Sequence, residues 1–245
     1  MGGRTPAFFL DFDGTLAPIV DRPEYARLPE ATRAVLRSLS ERYVVCVISG
    51  RGLHDVRDKT GLPYLFYAAD HGRRIEGPPG SDVSLEVGGE AKSSLRKAAR
   101  QLEDVLGHVS GVIVERKDLS LSVHYRLAPH NLHEQVAAEV ARVAALHPRL
   151  ALRSGKLVHE LRPGDDWDKG RAVLWLMERL GLTFAAHCPV CIGDDLTDED
   201  MFRAVGGRGV TVFVGDGNAR TAALFRVQDV HEASVLLASF VPRAG

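Results

Sequence analysis

Cysteine is scarce in this chain. Cys46, Cys188 and Cys191 are too few, and odd in number, for a disulfide framework. Cys188-Pro189-Val190-Cys191 has the spacing of redox and zinc motifs, but no second pair accompanies it. It also lies in an apparent strand, where residues three apart face opposite sides and do not share a metal. Buried structural thiols are the expectation. Long apolar runs are missing too, and the N-terminus lacks the pattern of a signal peptide, so a cytoplasmic protein without membrane partners is expected. Neither sign of charge dominates: 31 Lys and Arg against 32 Asp and Glu leave a net charge of −1, which gives no electrostatic case for nucleic acid. There is no Walker A sequence and no kinase motif set, so nucleotide is not an expected substrate. Internal repeats and low-complexity tracts are absent as well. What remains is 245 residues, 45% hydrophobic and 26% charged, which suits an ordinary globular chain of one large or two small domains.

Phe8-Phe9-Leu10 feeds Asp11-Phe12-Asp13-Gly14-Thr15, an apolar run ending in two aspartates spaced two apart. The run predicts a buried, parallel strand. Residues two apart on a strand share a face, so Asp11 and Asp13 are placed to share a site at its end. Taken alone, Asp-Gly-Thr also reads as a simple turn. A helix is expected over Leu28–Arg42, a strand over Tyr43–Ile48 ending in Ser49-Gly50-Arg51, a helix to about Lys59, and a strand over Tyr64–Ala69. This alternation is that of a parallel sheet with crossover helices.

Gly77-Pro78-Pro79-Gly80-Ser81 reads as a linker. Beyond it the expected order is helix (about 90–107), strands (111–116, 119–126), helix (130–146) and strands (149–154, 156–161), an antiparallel sheet with two helices on one face. His130 and His133, three apart, lack a third ligand and are taken as exposed helix residues. From Arg162-Pro163 the first pattern resumes: a helix from Asp168 to Leu180, a strand from His187 to Ile192, then helix, strand, helix and a final helix at about 231–240. The expected fold class is α/β, a doubly wound parallel-sheet core (1–77 and 163–245) interrupted by an α+β cap (78–162).

Three core strands thus end in polar residues: Asp11/Asp13, Ser49/Gly50 and Asp194/Asp195. Ligands of open α/β sheets bind beyond such strand ends. Gly193-Asp194-Asp195-Leu196-Thr197-Asp198-Glu199-Asp200 holds five acids in seven residues from Asp194 on. A helix N-terminus explains some of them, but acids on the strand end, facing Asp11 and Asp13, call for a cation, and carboxylates with backbone carbonyl and water are ligands that Mg²⁺ prefers. Lys169 would add an ammonium, and Ser49 with its neighbouring N–H groups would hold a phosphoryl oxygen. Ser49 also fits a plain cap and Lys169 a solvated side chain. The parts together suit phosphoryl transfer. Asp11 would attack phosphorus, and Asp13 would protonate the leaving oxygen and then activate water.

These residues, Asp11-Phe12-Asp13-Gly14-Thr15, Ser49, Lys169 and Gly193 to Asp198, resemble the four motifs of haloacid dehalogenase-like phosphatases, in order and across the whole core. The insert lies where members with a type C2 cap carry theirs. The resemblance implies Asp11 as nucleophile, Asp13 as acid/base, and Ser49 and Lys169 on the phosphoryl group. It implies Mg²⁺ on Asp11, the carbonyl of Asp13 and Asp194, with Asp195 and Asp198 acting through water or by positioning Lys169.

Within the cap, Glu115-Arg116-Lys117, His124-Tyr125-Arg126 and Gly155 to Pro163 resemble trehalose-6-phosphate phosphatases, as do Ser49-Gly50-Arg51 and Ile192 to Asp200. That resemblance implies sugar binding by Glu115, Lys117, Arg126 and Glu160, with Gly50 and Arg51 at the substrate and His71 supporting. The alternation of strand residues puts Glu115 and Lys117 on one face, although a cross-strand salt-bridge ladder has the same pattern. Ala68-Ala69-Asp70-His71-Gly72 departs from the family, which often has Gly early and Glu before His-Gly. A monomeric phosphatase acting on trehalose 6-phosphate is expected, its cap closing over the crevice. Sucrose phosphate, glucosyl- or mannosyl-glycerate phosphate and a trehalose-like pseudo-disaccharide phosphate are the alternative substrates. A phosphomutase or a non-catalytic sugar-phosphate sensor are the alternative functions.

Overall fold

The computed structural model describes residues 3–217 and 219–241. The chain divides into two compact units, one of 1–85 with 167–245 and one of 86–166.

The first unit begins with β1 (Thr5–Leu10), α1 (Glu30–Ser40), β2 (Val44–Ile48), α2 (Leu53–Thr60), β3 (Phe66–Ala69), β4 (Arg74–Glu76) and β5 (Ser84–Glu86). The second contains α3 (Lys92–Leu106), β6 (Ile113–Arg116), β7 (Leu121–His124), α4 (His133–Ala145), β8 (Leu150–Gly155) and β9 (Val158–Pro163). The first then resumes with α5 (Lys169–Arg179), β10 (His187–Gly193), α6 (Glu199–Val205), β11 (Val210–Val214), β12 (Phe225–Val227) and α7 (Val230–Ala238).

The larger sheet runs β12-β11-β10-β1-β2-β3-β4-β5, parallel from β12 to β3, with β4 antiparallel to β3. Apolar side chains cover both of its faces, which is why its inner strands read as unbroken apolar runs. Phe8, Leu10, Val45, Val47, Val190 and Ile192 point into one core, closed by Leu36 and Leu39 of α1, Val56 of α2 and Leu237 of α7. Ala7, Phe9, Cys46, Ile48 and Cys191 point into the other, closed by Ala172, Val173 and Leu176 of α5 and Phe202 of α6. Both sets together are a doubly wound α/β sheet. Strand order reverses at β1, where the chain leaves toward β2 and later returns to β10 on the opposite side. That reversal is the switch point at which open α/β sheets bind ligands.

The smaller sheet runs β6-β7-β9-β8, all antiparallel. One face carries Leu121, Val123 and Leu161 against Leu95, Leu102 and Leu106 of α3 and Val136, Val140 and Val143 of α4. Strand alternation sends Glu115, Ser122 and Glu160, which sit side by side across β6, β7 and β9, to the other face.

Several expectations shift. Gly77–Ser81 is not a linker but the connection between β4 and β5, with Gly77 N donating to Val83 O (2.9 Å) and Ser81 N to Pro78 O (3.0 Å). The division therefore falls at Leu85/Glu86 and at Asp166/Trp167 rather than at 77/78 and 162/163. The helix expected between β11 and the final helix is absent among the described residues, and β12 stands there instead. His130 lies in a short 3-10 turn before α4 and is exposed; the His133 ring stacks on it at 4.8 Å and contacts Ala128 O through Nε2 at 3.1 Å. All three cysteines are free and buried, and burial pushes the Cys46 and Cys191 thiols up. Among the described residues no helix is long and apolar enough to cross a membrane.

Candidate active site

β1 and β10 are paired up to Leu10↔Ile192, and Asp11 N continues the ladder by donating to Ile192 O at 2.9 Å. Asp11 and Asp194 therefore leave adjacent strands at nearly the same level. Asp11, Asp194 and Asp198 offer carboxylate oxygens that all lie within 4.8 Å of one another.

Asp168 caps α5 by accepting from Arg171 N at 2.7 Å, which makes Lys169 the first residue of the helix. A cation at a helix N-terminus is disfavoured by the dipole, and here carboxylates offset that. Lys169 Nζ donates to Asp11 Oδ1 and to Asp198 Oδ1, both at 2.7 Å, with its side chain only 3% exposed. Burial works against the lysine's charge, but Asp11 and Asp198 outweigh it and hold the ammonium well above its ordinary range. Asp198 uses its second oxygen to accept from the backbone N–H groups of Asp194 (2.9 Å) and Asp195 (3.0 Å). One buried carboxylate thus fixes both the lysine and the β10–α6 loop.

A single lysine does not balance this cluster. Burial, followed by the neighbouring Asp198 and Asp194 carboxylates as raising influences, lifts Asp11 well above the usual carboxylate range against the pull of Lys169. Burial and then Asp198 push Asp194 up to about 7. A set of clustered carboxylate oxygens of this kind could hold a divalent cation. Asp198 has both oxygens engaged, so Asp11 and Asp194 are the members of the cluster suited to a cation. Asp195, also expected as a ligand, is exposed and accepts from Leu196 N at 2.7 Å, outside the cluster.

The turn after Asp11 is built for this neighbour. Gly14 has φ +87°, and a Cβ there would stand 2.1 Å from Asp194 Oδ2. Glycine is required on both counts. Thr15 Oγ1 donates to Asp194 Oδ1 at 3.4 Å.

Asp13, 38% exposed, does not face the lysine. Its two oxygens accept from Nε (2.6 Å) and Nη2 (2.7 Å) of Arg51, whose Nη1 donates to Asp55 at 2.6 Å. Arg51, expected at the substrate, is instead buried as a fork between two carboxylates. Burial opposes its charge, but Asp13 and Asp55 more than offset that. Ser49 is buried at the end of β2, and its Oγ accepts from Arg51 N at 3.1 Å. Asp70 and His71 take φ values of +47° and +57°, in the left-handed region that residues other than glycine seldom adopt, although Asp and His do so more than most. Asp70 N donates to Arg51 O and His71 N to Ser49 O, each at 2.9 Å, which holds the strained loop. The His71 ring lies so close over Gly50 that a Cβ there would meet it at 2.5 Å.

In the smaller unit, Lys117 Nζ lies 3.7 Å from Glu115 and 3.5 Å from Glu160, and donates to Ser122 Oγ at 3.1 Å. Ser122 Oγ in turn donates to Glu160 Oε1 at 3.4 Å. His124 Nε2 contacts Glu115 at 2.8 Å, and Arg162 Nε donates to Glu160 at 2.5 Å. Three of the four expected sugar-binding residues are thus brought together. The fourth, Arg126, donates to Lys156 O at 3.3 Å in the β8–β9 turn.

Sequence reasoning did not single out Asp55 and Ser122, and it placed His124 and Arg162 within the matching cap motifs without giving them a role in the site. The i,i+4 series Arg51, Asp55, Lys59 carried a signal for the first. The same-face alternation of Ser122 with His124 and of Glu160 with Arg162 carried one for the others.

The sequence model of the trehalose-phosphatase family matches residues 9–231. The trehalose-phosphate phosphatase of Mycobacterium avium (strain 104) is 43% identical over 96% of this chain and 61% of its own length. That of Mycobacterium tuberculosis (strain ATCC 25618 / H37Rv) is 42% identical over 91% of this chain and 58% of its own length. The chain thus spans roughly three-fifths of the curated relatives it matches. Among solved structures, the C-terminal domain of the C. albicans trehalose-6-phosphate phosphatase has a TM-score of 0.82 at 26% identity, covering 98% of this chain and 94% of that one. A haloacid dehalogenase-like hydrolase from Bacteroides thetaiotaomicron, at 17% identity and a TM-score of 0.68 over 97% of this chain and 98% of that one, shares the fold. With a match from β1 to α7, this chain belongs to the trehalose-phosphatase family.

Proposed function

We propose that the chain is a phosphatase that hydrolyses trehalose 6-phosphate to trehalose and inorganic phosphate. The observation that carries the reading is the Asp11–Lys169–Asp198 contact beside Asp194 at the switch point of the sheet. An Asp11 oxygen attacks phosphorus while the bond from phosphorus to the sugar oxygen breaks, and Asp13 gives that oxygen its proton. Water then attacks the same phosphorus, Asp13 takes its proton, and phosphate leaves the regenerated Asp11. Lys169 offsets the charge of carboxylate and phosphoryl group in a buried setting. Ser49 Oγ accepts from Arg51 N, which leaves its own proton to donate to a phosphoryl oxygen. Asp11, Asp194 and the backbone carbonyl of Asp13 would hold Mg²⁺, which supplies Lewis-acid stabilisation of phosphoryl charge when bound. The raised Asp11 and Asp194 carboxyls support that fit.

Glu115, Lys117 and Glu160 are read as the sugar-binding groups. Glu160 and Lys117 are each at most a tenth exposed and mutually paired on the sheet face turned away from α3 and α4, the fixed polar arrangement that a hydroxyl-rich ligand needs. The test is phosphate release with Mg²⁺ from a panel of sugar phosphates. Trehalose 6-phosphate should lead it, with trehalose and phosphate formed in equal amounts. A better rate on sucrose phosphate or a glycosyl-glycerate phosphate would reassign the substrate, and no release from any member would remove the enzymatic reading.

A further inference from the structure

Arg51 serves two carboxylates at once. Nε and Nη2 go to Asp13 Oδ2 and Oδ1 at 2.6 and 2.7 Å, and Nη1 goes to Asp55 Oδ2 at 2.6 Å. The guanidinium is nearly excluded from water and lies 5.5 Å from the centre of the Phe12 ring. Asp55 stands in the first turn of α2, where an acid suits the helix dipole. The dipole alone does not require a contact with a buried guanidinium. The other Asp55 oxygen faces Lys59 Nζ at 3.5 Å, and Lys59 donates to the carbonyls of Glu24 (3.1 Å) and Ala26 (3.4 Å). Asp13, Arg51, Asp55 and Lys59 therefore form one chain of alternating charge, anchored at its outer end to the backbone.

A bidentate pair occupies both oxygens of its carboxylate. Asp13 must free one of them to deliver a proton to a leaving oxygen. The ease of that release depends on how much of the guanidinium's charge Asp13 faces alone. We propose that Asp55 is a positioning residue that shares Arg51 with Asp13 and so sets how readily Asp13 reaches the leaving oxygen. The inference rests on Asp13 being the acid of the proposed reaction. There the Asp13 proton passes to the sugar oxygen as the bond from that oxygen to phosphorus breaks and the phosphoryl group moves to Asp11. Without Asp55, Asp13 faces the whole cation and the transfer slows.

The leaving group separates this role from a structural one. An alkyl phosphate such as trehalose 6-phosphate needs the proton, whereas p-nitrophenol departs as an anion. In Asp55→Asn the ratio of kcat for trehalose 6-phosphate to kcat for p-nitrophenyl phosphate should fall about tenfold, part of the 10²–10⁴ that acid–base catalysis supplies. Asp55 is 44% exposed, so the fold should tolerate the change, and Asp55→Ser should give the same fall. Asp55→Glu should restore the ratio. In an Arg51→Gln background, Asp55→Asn should change the ratio no further, because effects along one chain of contacts are not additive. Equal losses on both substrates, an unchanged ratio, or a full effect without Arg51 would overturn the proposal. Asp13→Asn keeps the two readings apart. If it retains turnover of trehalose 6-phosphate, the acid assignment itself falls; if it is inactive while Asp55→Asn is silent, only the role of Asp55 falls.

Discussion

Lys169 Nζ donates to Asp11 Oδ1 at 2.7 Å with the two side chains 3% and 7% exposed. A buried ion pair of this kind is a weak source of net stability but costly to break from one side. Lys169→Met should therefore lower the melting temperature and, by removing a fixed cation from the phosphoryl site, reduce kcat on the order of 10²–10³-fold. Thermal melts and initial rates on the same preparation check both; a stable variant with unaltered kcat would mean that the lysine is solely structural.

Asp194 supplies a pH dependence. Its unfolded value is near 3.8, and burial and then Asp198 push it up to about 7 in the fold. The folded chain thus binds this proton more tightly than the unfolded chain. The associated stability is complete below the unfolded value and is lost as pH rises through about 7. With chelator present, the melting temperature should fall between pH 5 and pH 8, and by less in Asp194→Asn. Added Mg²⁺ should raise it more at pH 8 than at pH 5, since protons compete for the same oxygens. An equal Mg²⁺ gain at both pH values would argue against Asp194 as a ligand.

In the smaller unit, Glu160→Gln preserves shape and removes charge from a group that Lys117 and Arg162 both face. KM for trehalose 6-phosphate should rise roughly 10- to 100-fold, as expected for loss of a charged hydrogen bond. KM for p-nitrophenyl phosphate should change little. Equal effects on the two substrates would remove the sugar-binding assignment.

Gly14 tests the turn that joins the two acidic strand ends. At φ +87°, with Asp194 against it, Gly14→Ala should cost at least about 1–3 kcal/mol from backbone strain alone. The denaturation midpoint should move down with an unchanged slope. A midpoint within error of the parent would show that the turn relaxes without cost.

How much of this was legible beforehand follows from where each signal resides. β1, β2 and β10 are buried on both faces, so their apolar runs were plain, and the acids at their ends fell where the sheet delivers ligands. β4, β5 and β12 are three-residue strands in which only Ile75 of β4 is buried, and such short segments carry no periodicity to read. The stretch before β12 was expected to be helical, but tertiary bonds hold it otherwise. Glu199 accepts from Thr221 and from Ala222 N, and Thr211 Oγ1 accepts from Leu224 N. Arg51 on Asp13 was hidden for a similar reason. It depends on β1 lying beside β2, paired at Leu10↔Val47, which is a fact of register rather than of local sequence.

The central claim is that Asp11 carries the phosphoryl group, and acid quenching during turnover of trehalose 6-phosphate with Mg²⁺ tests it most directly. Peptide mass analysis should find a labile phosphoryl group on the peptide containing Asp11, convertible by borohydride to homoserine at that position. Asp11→Asn should lack it and lose on the order of 10⁴-fold or more in kcat. Sustained hydrolysis by Asp11→Asn, with no label at residue 11 in the parent, would contradict the account.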